Sequence, residues 1–163
     1  MKLKLIQETK LFNNYSSIFF DNVFSDTYLD YVVSASNGLG NVPSNAIRFI
    51  DQAGNEQSSS NGTLHQMYAN ASAEYYQKGN GINYVYDVFW KYGDGLNIQC
   101  IFWHPYVSTR RTQITYRGTA NNLYYDGVAG WNQTKQMRGF LLHDYNSSTY
   151  YNEGTLSIYG IEY

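Results

Sequence analysis

The chain holds one cysteine, Cys100, which excludes an internal disulfide and leaves too few thiols for a cysteine-rich zinc site. It has two prolines, Pro43 and Pro105, and few charges: 15% of its 163 residues against about 25% in a typical soluble domain. The charges nearly cancel, 11 basic against 13 acidic for a net −2, so there is no basic surplus to grip a phosphate backbone and no nucleic-acid partner is expected. No apolar run approaches the roughly 18 to 20 residues that cross a bilayer, and residues 1–7 lack the apolar centre of a signal peptide. The expectation is synthesis in the cytoplasm with no membrane insertion.

What the chain has instead is aromatic side chains: 18 Tyr, 8 Phe and 3 Trp. Disordered chains are charged and poor in aromatics, so this one folds. Clusters of Gly, Asn, Asp and Ser recur every dozen or so residues between short apolar runs, the spacing of an all-β sandwich or barrel. Strict alternation at Lys2, Leu3, Lys4 and Leu5 predicts a strand whose leucines share the core face. Further strands are predicted over 16–20, over 28–36 with Tyr31, Val33 and Ala35 on one face, and over 45–51 with Ile47 and Phe49 opposite Arg48. The last of these runs into a turn at Ala53-Gly54-Asn55. A hairpin is predicted about Gly93-Asp94-Gly95, its second strand facing Leu96, Ile98, Cys100 and Phe102 inward. Segments 107–117, 137–145 and 155–163 complete about eight strands in a single domain over 1–163, with Leu156 and Ile158 inward. Residues 64–77 are open between helix and strand, because Leu64, Met67, Tyr68, Ala71 and Tyr75 fall at helical intervals.

No chemistry stands out. His65, His104 and His143 lack the regular spacing of metal ligands, so neither a metal nor a cofactor is expected. Cys100 lies on the apolar side of its strand, as a buried inert thiol would. No Gly-x-Ser-x-Gly elbow or phosphate-binding glycine loop occurs, and the carboxylates sit mostly in turns. The expectation is a protein that is not an enzyme, with Asp126, His143, Asp144 and Glu153 the groups to watch if loops assemble a site. Arg110-Arg111, read as part of a strand, points to opposite faces and makes no anion patch. Tyr and Trp in loop-like stretches are the stronger signal, because a flat apolar face with a polar edge suits protein interfaces and sugar rings alike. Asn121, Asn122, Tyr124, Tyr125, Trp131, Asn132 and Tyr151 are therefore the candidates for a glycan- or interface-facing surface.

Five stretches carry a resemblance: Lys4-Leu5-Ile6 and Ser16-Ser17-Ile18-Phe19-Phe20, then Phe24-Ser25-Asp26-Thr27-Tyr28-Leu29-Asp30-Tyr31, then Ile47-Arg48-Phe49, and finally Gly154-Thr155-Leu156-Ser157-Ile158-Tyr159-Gly160-Ile161. In this order they resemble a family of small jelly-roll-like β-sandwich proteins and appendage domains of tailed bacteriophages of marine and cyanobacterial type. The resemblance implies a virion component: a capsid decoration, head-fibre or tail-fibre subunit, often trimeric, whose partners are other capsid or tail proteins. It implies no catalytic residue, and it favours a small free-standing subunit over the tip of a long fibre. The alternative is a receptor-binding module that recognises a host surface glycan.

Overall fold

In the computed structural model, residues 1–11, 17–36, 45–57, 62–69, 74–82, 85–86, 97–120, 123–144 and 154–163 are described. They form β1 (Lys2–Lys10), β2 (Ser17–Phe20), β3 (Asp30–Ser36), β4 (Asn45–Asp51), β5 (Gly62–Ala69), β6 (Glu74–Ile82), β7 (Val85–Tyr86), β8 (Asn97–Trp103), β9 (Gln113–Ala120), β10 (Leu123–Trp131), β11 (Met137–Asp144) and β12 (Thr155–Glu162). No helix occurs among the described residues. A large sheet runs β1-β12-β3-β8-β9-β10-β5-β6 and a small one β2-β11-β4-β7, with every pairing antiparallel.

The order has a simple reading. With the hairpins β5–β6 and β9–β10 set aside, β1-β12-β3-β8 faces β2-β11-β4-β7, and the chain alternates between sheets as it winds inward from both ends. That is the wrap of an eight-stranded jelly roll. The two hairpins are insertions that widen one sheet only, which accounts for twelve strands where the sequence reading counts about eight.

Alternation seats the core. Tyr31, Val33 and Ala35 of β3, Ile98, Cys100 and Phe102 of β8, and Leu156 and Ile158 of β12 are buried against Ile18 and Phe20 of β2, Ile47 and Phe49 of β4, and Phe140 and Leu142 of β11. Phe102 bridges the layers, its ring centroid 5.0 Å from Phe140 and 6.1 Å from Phe49. Such offset and edge contacts each contribute about 0.5–1.5 kcal/mol beyond burial. Burial pushes the Cys100 thiol well up, as expected of an unreactive core cysteine.

Three expectations fail, each for a physical reason, and one segment left open resolves to strand. Leu3 and Leu5 are exposed, at 43% and 50%. They pair with Ile161 and Tyr159 on the outer side of the large sheet, and the bulge between Leu5 and Gln7 then reverses the phase so that Leu11 is buried. The alternation was right and its face was wrong. The strands on either side of 93–95 do not form a hairpin: β7 joins β4 in the small sheet, whereas β8 joins β3 and β9 in the large one. Residues 93–96, Leu96 among them, lie outside the described residues. The open segment 64–77 holds a strand pair, β5 with β6, because pairing with β10 overrides its helical spacing. Finally, residues 107–112 are not a strand, so Arg110 and Arg111 are both exposed in the connection before β9.

The turn after β4 is tied down firmly. Gly54 takes φ 88° there and donates to Asp51 O at 2.9 Å. Asp51 Oδ1 accepts from the Ala53 and Asn55 amides at 3.0 Å, while its Oδ2 accepts from Gln57 Nε2 at 2.9 Å and Lys135 Nζ at 2.8 Å. Lys135, with desolvation opposing and the turn amides helping, holds the Asp51 carboxyl down at about 2. Lys135 belongs to the connection between β10 and β11, so this knot fastens that connection to β4.

Candidate functional site

The pairing register places the outward side chains of the large sheet in rows. One row reads Leu5, Tyr159, Val32, Ile101, Thr115 and Val128 across β1, β12, β3, β8, β9 and β10. At about 4.8 Å between strands it runs about 24 Å. Its ends are open, Leu5 at 50% and Val128 at 49% exposed, while Val32 in the middle is covered by its neighbours at 3%. Beside Leu5, Leu3 carries the apolar surface along the edge strand; on β5, His65 holds the next register position beyond Val128, and Met67, 60% exposed, lies diagonal to Val128 opposite Asp126. Trp103 lies on this outer side too, its Nε1 donating to Thr115 Oγ1 at 3.0 Å.

The neighbouring row is polar: Glu8, Ser157, Ser34, Gln99, Arg117 and Asp126. Arg117 Nη2 meets Asp126 Oδ2 at 3.0 Å, and Tyr124 Oη donates to the same oxygen at 3.3 Å. Asp126 raises Arg117, chiefly through that hydrogen bond. Arg117 is 72% exposed, so the ion pair orders the surface more than it stabilises the fold. Between the two rows lies a shallow depression of about 260 Å³ over Gln99, Ile101, Thr115, Arg117 and Asp126. The face is thus an apolar band flanked by a charged and hydroxyl-bearing one, the mixture found at protein–protein contacts.

The candidates named from sequence are scattered over the fold. Tyr124 lies on this face, 41% exposed, near one end of β10. Tyr125 is the next residue of β10 and pairs with Tyr68 and Gly118. Asn132 is exposed just beyond the other end of β10. Trp131 is in the core at 1% exposure, its ring 6.0 Å from Phe49, so it offers no face to a ligand or a partner. The reason is that 123–131 is a strand, not a loop: Gly127, Ala129 and Trp131 alternate inward, and glycine at 127 leaves room for the Tyr116 ring, which a Cβ there would strike. Asn121, Asn122 and Tyr151 lie outside the described residues.

Sequence reasoning overlooked Ile101 and Trp103, although the signal was present. If Ile98, Cys100 and Phe102 face in, then Gln99, Ile101 and Trp103 must face out. Of the four groups watched for catalysis, Asp126 faces outward from the large sheet and His143 outward from the small one, so the sandwich separates them. Asp144 closes β11, and Glu153 lies outside the described residues. No group of three or more His, Cys, Asp or Glu that could hold a metal ion occurs among the described residues. The chain matches no protein-family model and no curated protein.

Proposed function

We propose that the chain is a structural subunit of a tailed-phage particle, displayed on the particle surface as a capsid decoration, head-fibre or tail-fibre protein. It works as a closed homo-oligomer, a trimer like the proteins it resembles, with the outer face of the large sheet set against other copies or neighbouring virion proteins. The observation that carries this reading is the outward row from Leu5 to Val128, whose exposed apolar ends stand beside Leu3 on β1 and, diagonally, Met67 on β5. Exposed apolar side chains gathered at both ends of one sheet face are surface that a contact with another chain would cover.

The edge of the sheet points the same way. β1 is an edge strand that carries Lys2, Lys4 and Lys10 and a bulge, features that oppose strand addition at this edge and favour the face as the contact. The jelly-roll wrap, which recurs in capsid proteins, supplies the scaffold.

Sedimentation velocity tests the reading. The wild-type chain is expected to sediment as one closed oligomer, and Leu5→Glu with Val128→Glu, both at exposed positions, as a folded monomer. A wild type that stays monomeric at high concentration contradicts it.

A further inference from the structure

A second depression, about 510 Å³ and roomier than the one on the sheet face, lies at one end of the sandwich. It opens between three connections: β2 to β3, β8 to β9, and β10 to β11. Its walls include Ser25, Asp26, Tyr28, Tyr106, Ser108 and Gln136. We propose that this cleft is a binding site for a neutral saccharide, with the Tyr28 and Tyr106 rings meeting the C–H face of a pyranose while Asp26 and Gln136 bond its hydroxyls.

The cleft is preformed. Tyr31 anchors the first wall from the core, its Oη accepting from Ser25 N at 2.7 Å and donating to Ser25 O at 2.9 Å. Phe24 N donates to Arg138 O at 3.0 Å, which fastens the same wall to β11. In the second wall Met137 N donates to Pro105 O at 2.8 Å, and His104 N donates to the buried Asp30 at 2.9 Å. That bond holds His104 in the left-handed region at φ 54° and directs the chain into the turn that carries Tyr106 and Ser108. The third wall, with Gln136, follows Lys135 and its bond to Asp51. A site whose walls are ordered beforehand spends little binding energy on ordering them.

The chemistry selects the ligand class. Both tyrosines pack on the core with one side and remain half-buried, so they offer fixed ring surface at little conformational cost. Tyr28 lies over Gly160, where any Cβ would strike its ring. Around the rings stand one carboxylate, two hydroxyls and one amide, with Leu29 and Val107 as the aliphatic part of the lining; the polar set can both accept from and donate to sugar hydroxyls. Asp26 is the one charged side chain of the lining, which disfavours anionic sugars. A purely apolar ligand would strand these polar groups. The volume falls within the roughly 300–1,000 Å³ of small-ligand sites. The inference does not depend on the oligomer, because the cleft lies away from the Leu5–Val128 row.

The test is saturation-transfer NMR on the full chain with methyl glycosides of glucose, galactose, mannose and N-acetylglucosamine, and with putrescine as a cationic probe. Transfer to at least one glycoside is expected. Asp26→Asn and Tyr106→Ala should each weaken it about tenfold, the loss of one hydrogen bond or ring contact. Tyr106→Phe should retain binding, and so should Tyr124→Ala on the sheet face. Asp26 is exposed, so Asp26→Asn keeps the test valid should Tyr106→Ala fail to fold. Silence from every glycoside overturns the proposal, as does binding that survives both substitutions or transfer to putrescine alone. Leu5→Glu with Val128→Glu, which breaks the proposed oligomer, should leave glycoside binding intact, so the two readings can fail separately.

Discussion

Replacing Asp51 by Asn removes the charge at the centre of the knot that joins β4 to the connection before β11. Lys135, acting against desolvation, holds this carboxyl at about 2 against an ordinary 3.8, a difference worth about 2.4 kcal/mol of folding free energy at neutral pH. Lys135 is 43% exposed, so solvent screening trims the figure to about 2 kcal/mol. The sign follows from the direction. The folded-state carboxyl is the stronger acid, so its stabilisation is complete above about pH 4 and is lost as pH falls from about 4 to about 2. Urea unfolding of wild type and Asp51→Asn from pH 7 to pH 2 reads this directly. At pH 7 the variant should be less stable by about 2 kcal/mol, or about 4–8 °C in Tm for a domain of this size. The gap should close below pH 3, because protonation makes the wild type resemble the variant. A gap that stays constant down to pH 2 refutes the charge argument and leaves only a packing effect.

Trp131→Ala should cost about 3–5 kcal/mol by chemical denaturation, the range for emptying a buried aromatic site, whereas a surface role would make the change nearly neutral. Gly127→Ala should cost about 1–3 kcal/mol, because the new methyl meets the Tyr116 ring, and Tyr116→Leu should recover part of the loss. Cys100 should ignore a thiol reagent in the native state and react fully in denaturant; fast native labelling would mean that the β8 core is open.

How much of this was legible depends on what alternation can and cannot carry. It identified Tyr31, Val33, Ala35, Ile47, Phe49, Ile98, Cys100, Phe102, Leu156 and Ile158 as core, because a period of two needs no partner to be read. It could not say which face is the core face, and at Leu3 and Leu5 a single bulge decides that. Nor could it say which sheet a strand joins: turn residues at 93–95 promise a reversal, yet the jelly-roll wrap sends the chain across to the other sheet. In β10 Asp126 and Gly127 read as loop because a glycine's second use, making room for Tyr116, leaves no local mark. The end cleft was invisible for a related reason, since its walls come from three connections far apart in sequence.

The central claim is that the chain is an oligomeric part of a phage particle, and an image of that particle tests it most directly. On the proposed function the sequence is encoded by a tailed phage, and particles purified from such a phage would be imaged by cryo-electron microscopy at a resolution that separates strands. Closed oligomers are expected on the outside of the particle, with the Leu5–Val128 row buried between copies or against a neighbouring virion protein. Particles that lack the chain, or that carry it as isolated copies with that face bare to solvent, would contradict it.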